Sequence, residues 1–220
     1  VGANIETRIL TPTDDATIRQ SAPSTVSNWG IVEAYGKKGG ENAGLFKFDV
    51  ASQVSSGDDV LEATLRLYAV SFKNTPGTFG VYKTFGQDSW DETSVTWNNA
   101  PKKSTLLSSN VINPEKKYYE FDVTAYIQQR VKDSTAATVW VAGMEINYEL
   151  VKFESRRADN NNKPQLVVLT SNIPISTVAI DEQKNHTCTF GTKKTFVLPK
   201  KMSRKTSSTQ TSILIPSSPV

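Results

Sequence analysis

Val60-Leu-Glu-Ala-Thr-Leu-Arg-Leu-Tyr-Ala-Val-Ser71 alternates, with Ala63, Leu65, Leu67 and Ala69 on one parity and Glu62, Thr64, Arg66 and Tyr68 on the other. Successive strand residues point to opposite faces, so the stretch reads as a strand with one face on a core and one toward water. The pattern recurs on both sides, at 7–10, 16–19, 31–35, 44–49, 78–84, 117–122, 138–145, 152–155 and 165–170. Turn clusters separate these runs: Lys38-Gly-Gly-Glu41, Ser55-Ser-Gly-Asp-Asp59, Asn74-Thr-Pro-Gly77 and Asp159-Asn-Asn-Asn-Lys-Pro164. Helical spacing holds only around 123–131, where Val123, Ile127 and Val131 share a face and Thr124 stands near the start. The sequence therefore predicts an all-β fold, a two-sheet antiparallel sandwich of jelly-roll type with one short helix lying across an end. Leu45, Phe46 or Phe48, Leu65, Leu67, Trp140 and Leu166 are expected in the core.

The chain has 220 residues, 37% of them hydrophobic, enough for one good core. No window approaches the ~18 consecutive apolar residues of a membrane span. A start at Val1 fits a processed or trimmed chain, and a secreted protein at the cell surface or in a matrix is expected. Residues 1–171 hold 18 Lys and Arg against 20 Asp and Glu, whereas residues 172–220 hold 7 against 2. The basic character thus belongs to the tail, and a nucleic-acid partner, which would call for a basic folded face, is not expected. Cys188 and His186 are the chain's single cysteine and histidine, so residues 1–171 lack the materials for a zinc site or a histidine triad. No cofactor is expected, although Asp14-Asp15 and Asp58-Asp59 are of the type that holds structural calcium with loop carbonyls.

Five blocks follow one another in a recognisable order: Gly44-Leu-Phe-Lys-Phe-Asp49, Val60 to Tyr68, Trp90-Asp-Glu through Asn-Asn-Ala-Pro101, Phe121-Asp-Val-Thr-Ala-Tyr-Ile-Gln128, and Phe153-Glu-Ser-Arg-Arg157 before Lys163-Pro-Gln-Leu166. In order and spacing they resemble a DNRLRE domain over about residues 10–170. The resemblance implies a β-sandwich module of extracellular proteins, found beside polysaccharide lyases, some members of which bind acidic glycans such as alginate. It does not imply an enzyme. Members commonly carry an acidic residue where this chain has Arg157.

The resemblance makes 90–101 a connection between strands, its tryptophans wedged against the sandwich and Asp91 or Glu92 accepting backbone hydrogen bonds. A glycosidase needs two carboxyls about 5–10 Å apart across a cleft, and adjacent strand residues point to opposite faces. Candidate glycan-binding residues lie elsewhere. Trp29, in the polar loop Ser24-Thr-Val-Ser-Asn-Trp-Gly30, either plugs the structure or offers its indole to the apolar face of a sugar. Arg156 and Arg157 suit a glycan carboxylate, which a guanidinium binds through two parallel hydrogen bonds, or else form a structural ion pair.

The resemblance ends near residue 170, so residues 1–171 are expected to form the sandwich and 172–220 a Ser/Thr/Lys-rich tail, a linker or a strand donor. Phe196, Val197 and Leu198, and Ile213, Leu214 and Ile215, form strand-like runs suited to adding to a sheet edge, of their own sandwich or of a neighbouring copy. Asn185 opens a glycosylation sequon. Two functions follow. The first, which the tail favours, is a non-catalytic structural or adhesive subunit that associates with itself head to tail into a fibre or matrix. The alternative, which the resemblance favours, is a binding module for acidic polysaccharide.

Overall fold

The computed structural model describes residues 4–36, 39–85, 89–145 and 148–172. In chain order its elements are β1 (Ile5–Leu10), β2 (Asp14–Arg19), β3 (Ile31–Tyr35), β4 (Asn42–Phe48), α1 (Val50–Gln53), β5 (Asp59–Lys73) and β6 (Gly77–Phe85). There follow β7 (Lys102–Ile112), β8 (Tyr118–Asp122), α2 (Thr124–Lys132), β9 (Ala137–Gly143), β10 (Leu150–Glu154) and β11 (Gln165–Ser171). The fold is all-β, and every strand pair is antiparallel.

The alternating stretch is the hinge of the architecture. Residues 59–66 of β5 pair with β11 and residues 64–68 with β8, while residues 69–73 pair with β10. One strand thus serves two layers and curls a single sheet over on itself. The first layer runs β1-β11-β5-β8; the second runs from the end of β5 through β10, β3, β4, β9, β6 and β7, with β2 also on β4. Between the layers Leu65, Phe121 and Leu166 share one core with Phe46, Phe48 and Phe153. Each such side chain contributes roughly 1.5–3 kcal/mol by leaving water.

Helix α2 buries Tyr126, Ile127 and Val131 into this core, and its first turn is tied by the Asp122 carboxylate, which accepts from the Thr124 amide at 2.9 Å. A second, four-residue helix, α1, is capped by Asp49 accepting from the Ser52 amide; the sequence pattern showed one helix only. Strand β7 was not anticipated either. Its residues are mostly polar and exposed because it closes the edge of the second layer, so they carry no alternation.

A second core lies on the outer face of the second layer, where Ala16, Ile18, Ala43, Leu45, Trp140 and Ala142 are covered by Trp90, Val95 and Ala100. Leu45 and Trp140 are buried as expected, but under this cover rather than between the layers. No helix among the described residues is long and apolar enough to cross a membrane.

Candidate functional site

The segment 89–101 is held from within. Trp90 is 7% exposed, and its indole N–H donates to Thr138 Oγ1 at 3.1 Å. Trp97 meets Trp140 edge to face at 5.4 Å, and Trp140 Nε1 donates to Glu41 Oε1 at 3.1 Å. Asp91 faces solvent and accepts from the Thr93 amide at 2.6 Å, so the Thr93 hydroxyl and amide hold its carboxyl below the usual range. Ser89, Trp90, Asp91, Ser94, Val95 and Asn99 line a cleft of about 220 Å³ beside this turn.

Glu92 points the other way, to the inside. Arg156 grips it with two bonds, Nε to Oε2 at 2.8 Å and Nη2 to Oε1 at 2.7 Å. The Asp15 amide donates to the same carboxylate at 3.2 Å. The Arg156 hydrogen bond, first of all, holds the Glu92 carboxyl below its ordinary range. Asp15 itself is wholly buried; Oδ2 accepts from the Arg156 amide and Oδ1 has no hydrogen-bond partner. Burial pushes its carboxyl up from 3.8 to about 6. The two adjacent acids of the segment therefore serve separate structural ends, one capping a turn and one anchoring the cover.

A short distance along the same layer, Trp29 stands 71% exposed. Its loop is clamped from two sides. Arg157 Nη2 donates to the Asn28 carbonyl, and the Ser27 carbonyl accepts from the Thr17 amide at 2.9 Å. Gly30, at φ 79°, supplies the left-handed turn that leads into β3 and leaves the indole outside. The Arg19 guanidinium lies 5.2 Å from the centre of the Trp29 ring and reaches Glu33 Oε2 at 3.1 Å.

Lys152, opposite Glu33 in the β10–β3 register, binds its other oxygen at 3.0 Å. Burial alone would raise the Glu33 carboxyl, but the hydrogen bonds from Lys152 and Arg19 outweigh it and hold the group low. Glu33 thus carries two cations on one carboxylate and leaves a positive charge in excess beside the indole.

The structure joins Trp29 to Arg157 through Asn28, and sets Arg156 apart from them, on the inner side of Glu92. Arg157 also lies 3.4 Å from Glu92 Oε1, with its side chain 35% exposed. Arg19, Glu33 and Lys152 were not singled out by sequence; each sits at an ordinary polar position of a strand, and only the pairing brings them together. Asp14 is bound to Lys47 at 2.7 Å, and the Asp58 amide donates to Ser55 O in its turn. Among the described residues no three His, Cys, Asp or Glu cluster to hold a metal. Asn185 and the runs Phe196, Val197, Leu198 and Ile213, Leu214, Ile215 lie outside the described residues.

The sheet face at β3 and β10 thus carries an exposed indole with Arg19 over its ring and Lys152 close by on Glu33. The chain matches carbohydrate-binding module family 96 over residues 6–170 and belongs to that family. It is also similar to a gellan lyase of a Bacillus species, 30% identical over 164 residues, which are 72% of this chain and 6% of that protein. The chain thus spans a small part of the length of its curated relative. These findings overturn the expectation of a head-to-tail fibre subunit. That expectation rested on strand-like runs in 172–220, whereas the body that has been matched is a carbohydrate-binding module.

Proposed function

We propose that the chain is a non-catalytic, extracellular module that binds an acidic polysaccharide on the face bearing Trp29, Arg19, Lys152 and Arg157. The observation that carries this reading is Trp29 itself: a large apolar ring held 71% exposed in a loop clamped by Arg157 and stacked by Arg19. Leaving an indole in water costs burial energy unless something covers it, and the apolar face of a pyranose ring fits it. Cations at its margin then favour sugars that carry carboxylates, with Arg157 suited to bind one directly and Arg156 to hold the loop through Glu92. The kinship with DNRLRE domains, implied by the ordered blocks, supports the same assignment, as does the similarity to a gellan lyase. The organisation that goes with it is a sandwich over 1–171 with 172–220 as a linker.

Electrophoresis through gels containing alginate, gellan or a neutral glucan tests the proposal. The chain is expected to be retarded by at least one of the two acidic polymers and to run freely in the neutral one, with retardation weakened by added salt. Equal mobility in all three gels would overturn it.

A further inference from the structure

Trp29 is one end of a longer feature. Along the outer face of β3, Ile31, Glu33 and Tyr35 follow one another, and opposite them on β10 stand Glu154, Lys152 and Leu150. Leu150 is in turn opposite Lys73, and Lys152 opposite Ser71, at the end of β5. At the far end from Trp29 the Tyr35 ring lies 6.5 Å from that of Tyr148, tilted by 50°. Tyr148 is 51% exposed and its backbone is left-handed, at φ 61°. A bulky aromatic rarely adopts that conformation, and the surrounding structure must enforce it. Asn74 Nδ2 donates to the Tyr148 carbonyl at 3.1 Å and fixes this corner next to Lys73.

From these relations, and resting on the reading above, we infer that the binding face is a track along β3 and β10, open at both ends, that takes an internal run of several sugars of an acidic polysaccharide. Aromatic rings mark its two ends, Trp29 on one side and Tyr35 with Tyr148 on the other. From Ile31 to Tyr35 is four strand rises, about 13 Å, so the face exceeds one sugar ring in length. Charge runs the same way: Arg157, Arg19, Lys152 and Lys73 line it, and of its two carboxylates Glu33 is shared by Arg19 and Lys152 while Glu154 accepts from Asn160 Nδ2 at 3.0 Å. Trp29 and Tyr148 are both more than half exposed, so a chain can pass over either end.

Calorimetric titration with oligouronates from disaccharide to octasaccharide, each also reduced at its reducing end, tests the track. Affinity is expected to rise at least tenfold along the series and then level off, with no change on end reduction. Tyr148→Ala is expected to weaken the longest oligomer about fivefold and to leave the disaccharide unchanged, whereas Trp29→Ala weakens both. An octasaccharide bound no better than the disaccharide, a loss of binding on end reduction, or a Tyr148→Ala chain that binds the octasaccharide like the wild type would each overturn the track while leaving glycan binding at Trp29 intact. Wild-type protein that binds none of the series, nor the polymer, would instead overturn the binding reading and the track with it.

Discussion

Arg156 and Glu92 form a two-bonded ion pair, at 2.8 and 2.7 Å, that spans 64 residues of sequence and ties the cover segment 89–101 to the turn after β10. Arg157, the next residue, holds the Asn28 carbonyl beside Trp29. One turn thus fastens both the lid of the outer core and the loop that presents the indole.

Glu92→Gln keeps the shape of this link and removes its charge. The Glu92 side chain is 8% exposed and that of Arg156 34%, so the pair is partly screened, and the loss is expected near 2–3 kcal/mol. Urea denaturation measures it; a midpoint equal to that of the wild type would show that the pair contributes nothing.

Trp140→Ala opens a cavity beneath Trp97 and removes the bond to Glu41. A loss of about 3–5 kcal/mol is expected for a buried aromatic. A thermal midpoint within a degree or two of the wild type would contradict its place in the outer core.

Asp15 makes stability depend on pH in an unusual direction. Its carboxyl titrates near 6 in the folded chain against 3.8 ordinarily, so the folded state binds a proton first and gains stability as pH falls from 7 through 6 toward 4. The charged form costs about 3 kcal/mol at neutral pH. Glu92 and Glu33, held low by their cations, act oppositely: their contribution is present above the ordinary glutamate range and is lost as pH falls below it. Greatest stability is therefore expected between about pH 4.5 and 5.5. Asp15→Asn should abolish the gain between pH 7 and 5 in urea melts at both values. A wild type that is less stable at pH 5 than at pH 7 would contradict the buried charge. Because Asp15 faces Glu92, Arg156 and Arg157, its neutralisation also leaves the face more positive, and affinity for an acidic glycan should rise over the same interval.

Asp91 caps its own turn through Thr93 and Glu92 is held by Arg156, so assays for unsaturated uronates and for new reducing ends on acidic polysaccharides should remain at background. Turnover abolished by Asp91→Asn would contradict that expectation.

Much of this was legible in sequence. The alternation of Leu65 with Arg66 gave the strands, and the apolar run around Trp140 gave its burial. What alternation could not give was the side on which Trp140 is buried, since on β9 both faces are covered and Trp140 packs beneath 89–101. Nor could it show β7, whose edge position leaves its residues polar, or the crossing of β5 between layers. Trp29 drew notice because an indole in a polar loop is conspicuous. Arg19 and Lys152 did not, because lysine and arginine on the polar parity of a strand are ordinary, and only pairing with Glu33 brings them together.

Titration of the intact chain and of Trp29→Ala with an acidic polysaccharide, at low and at high salt, tests the central claim most directly. Trp29 is exposed and packs only at its margin, so its replacement should leave the thermal midpoint unchanged while weakening binding at least tenfold, and salt should weaken what remains. A folded Trp29→Ala chain that binds with wild-type affinity would contradict the account.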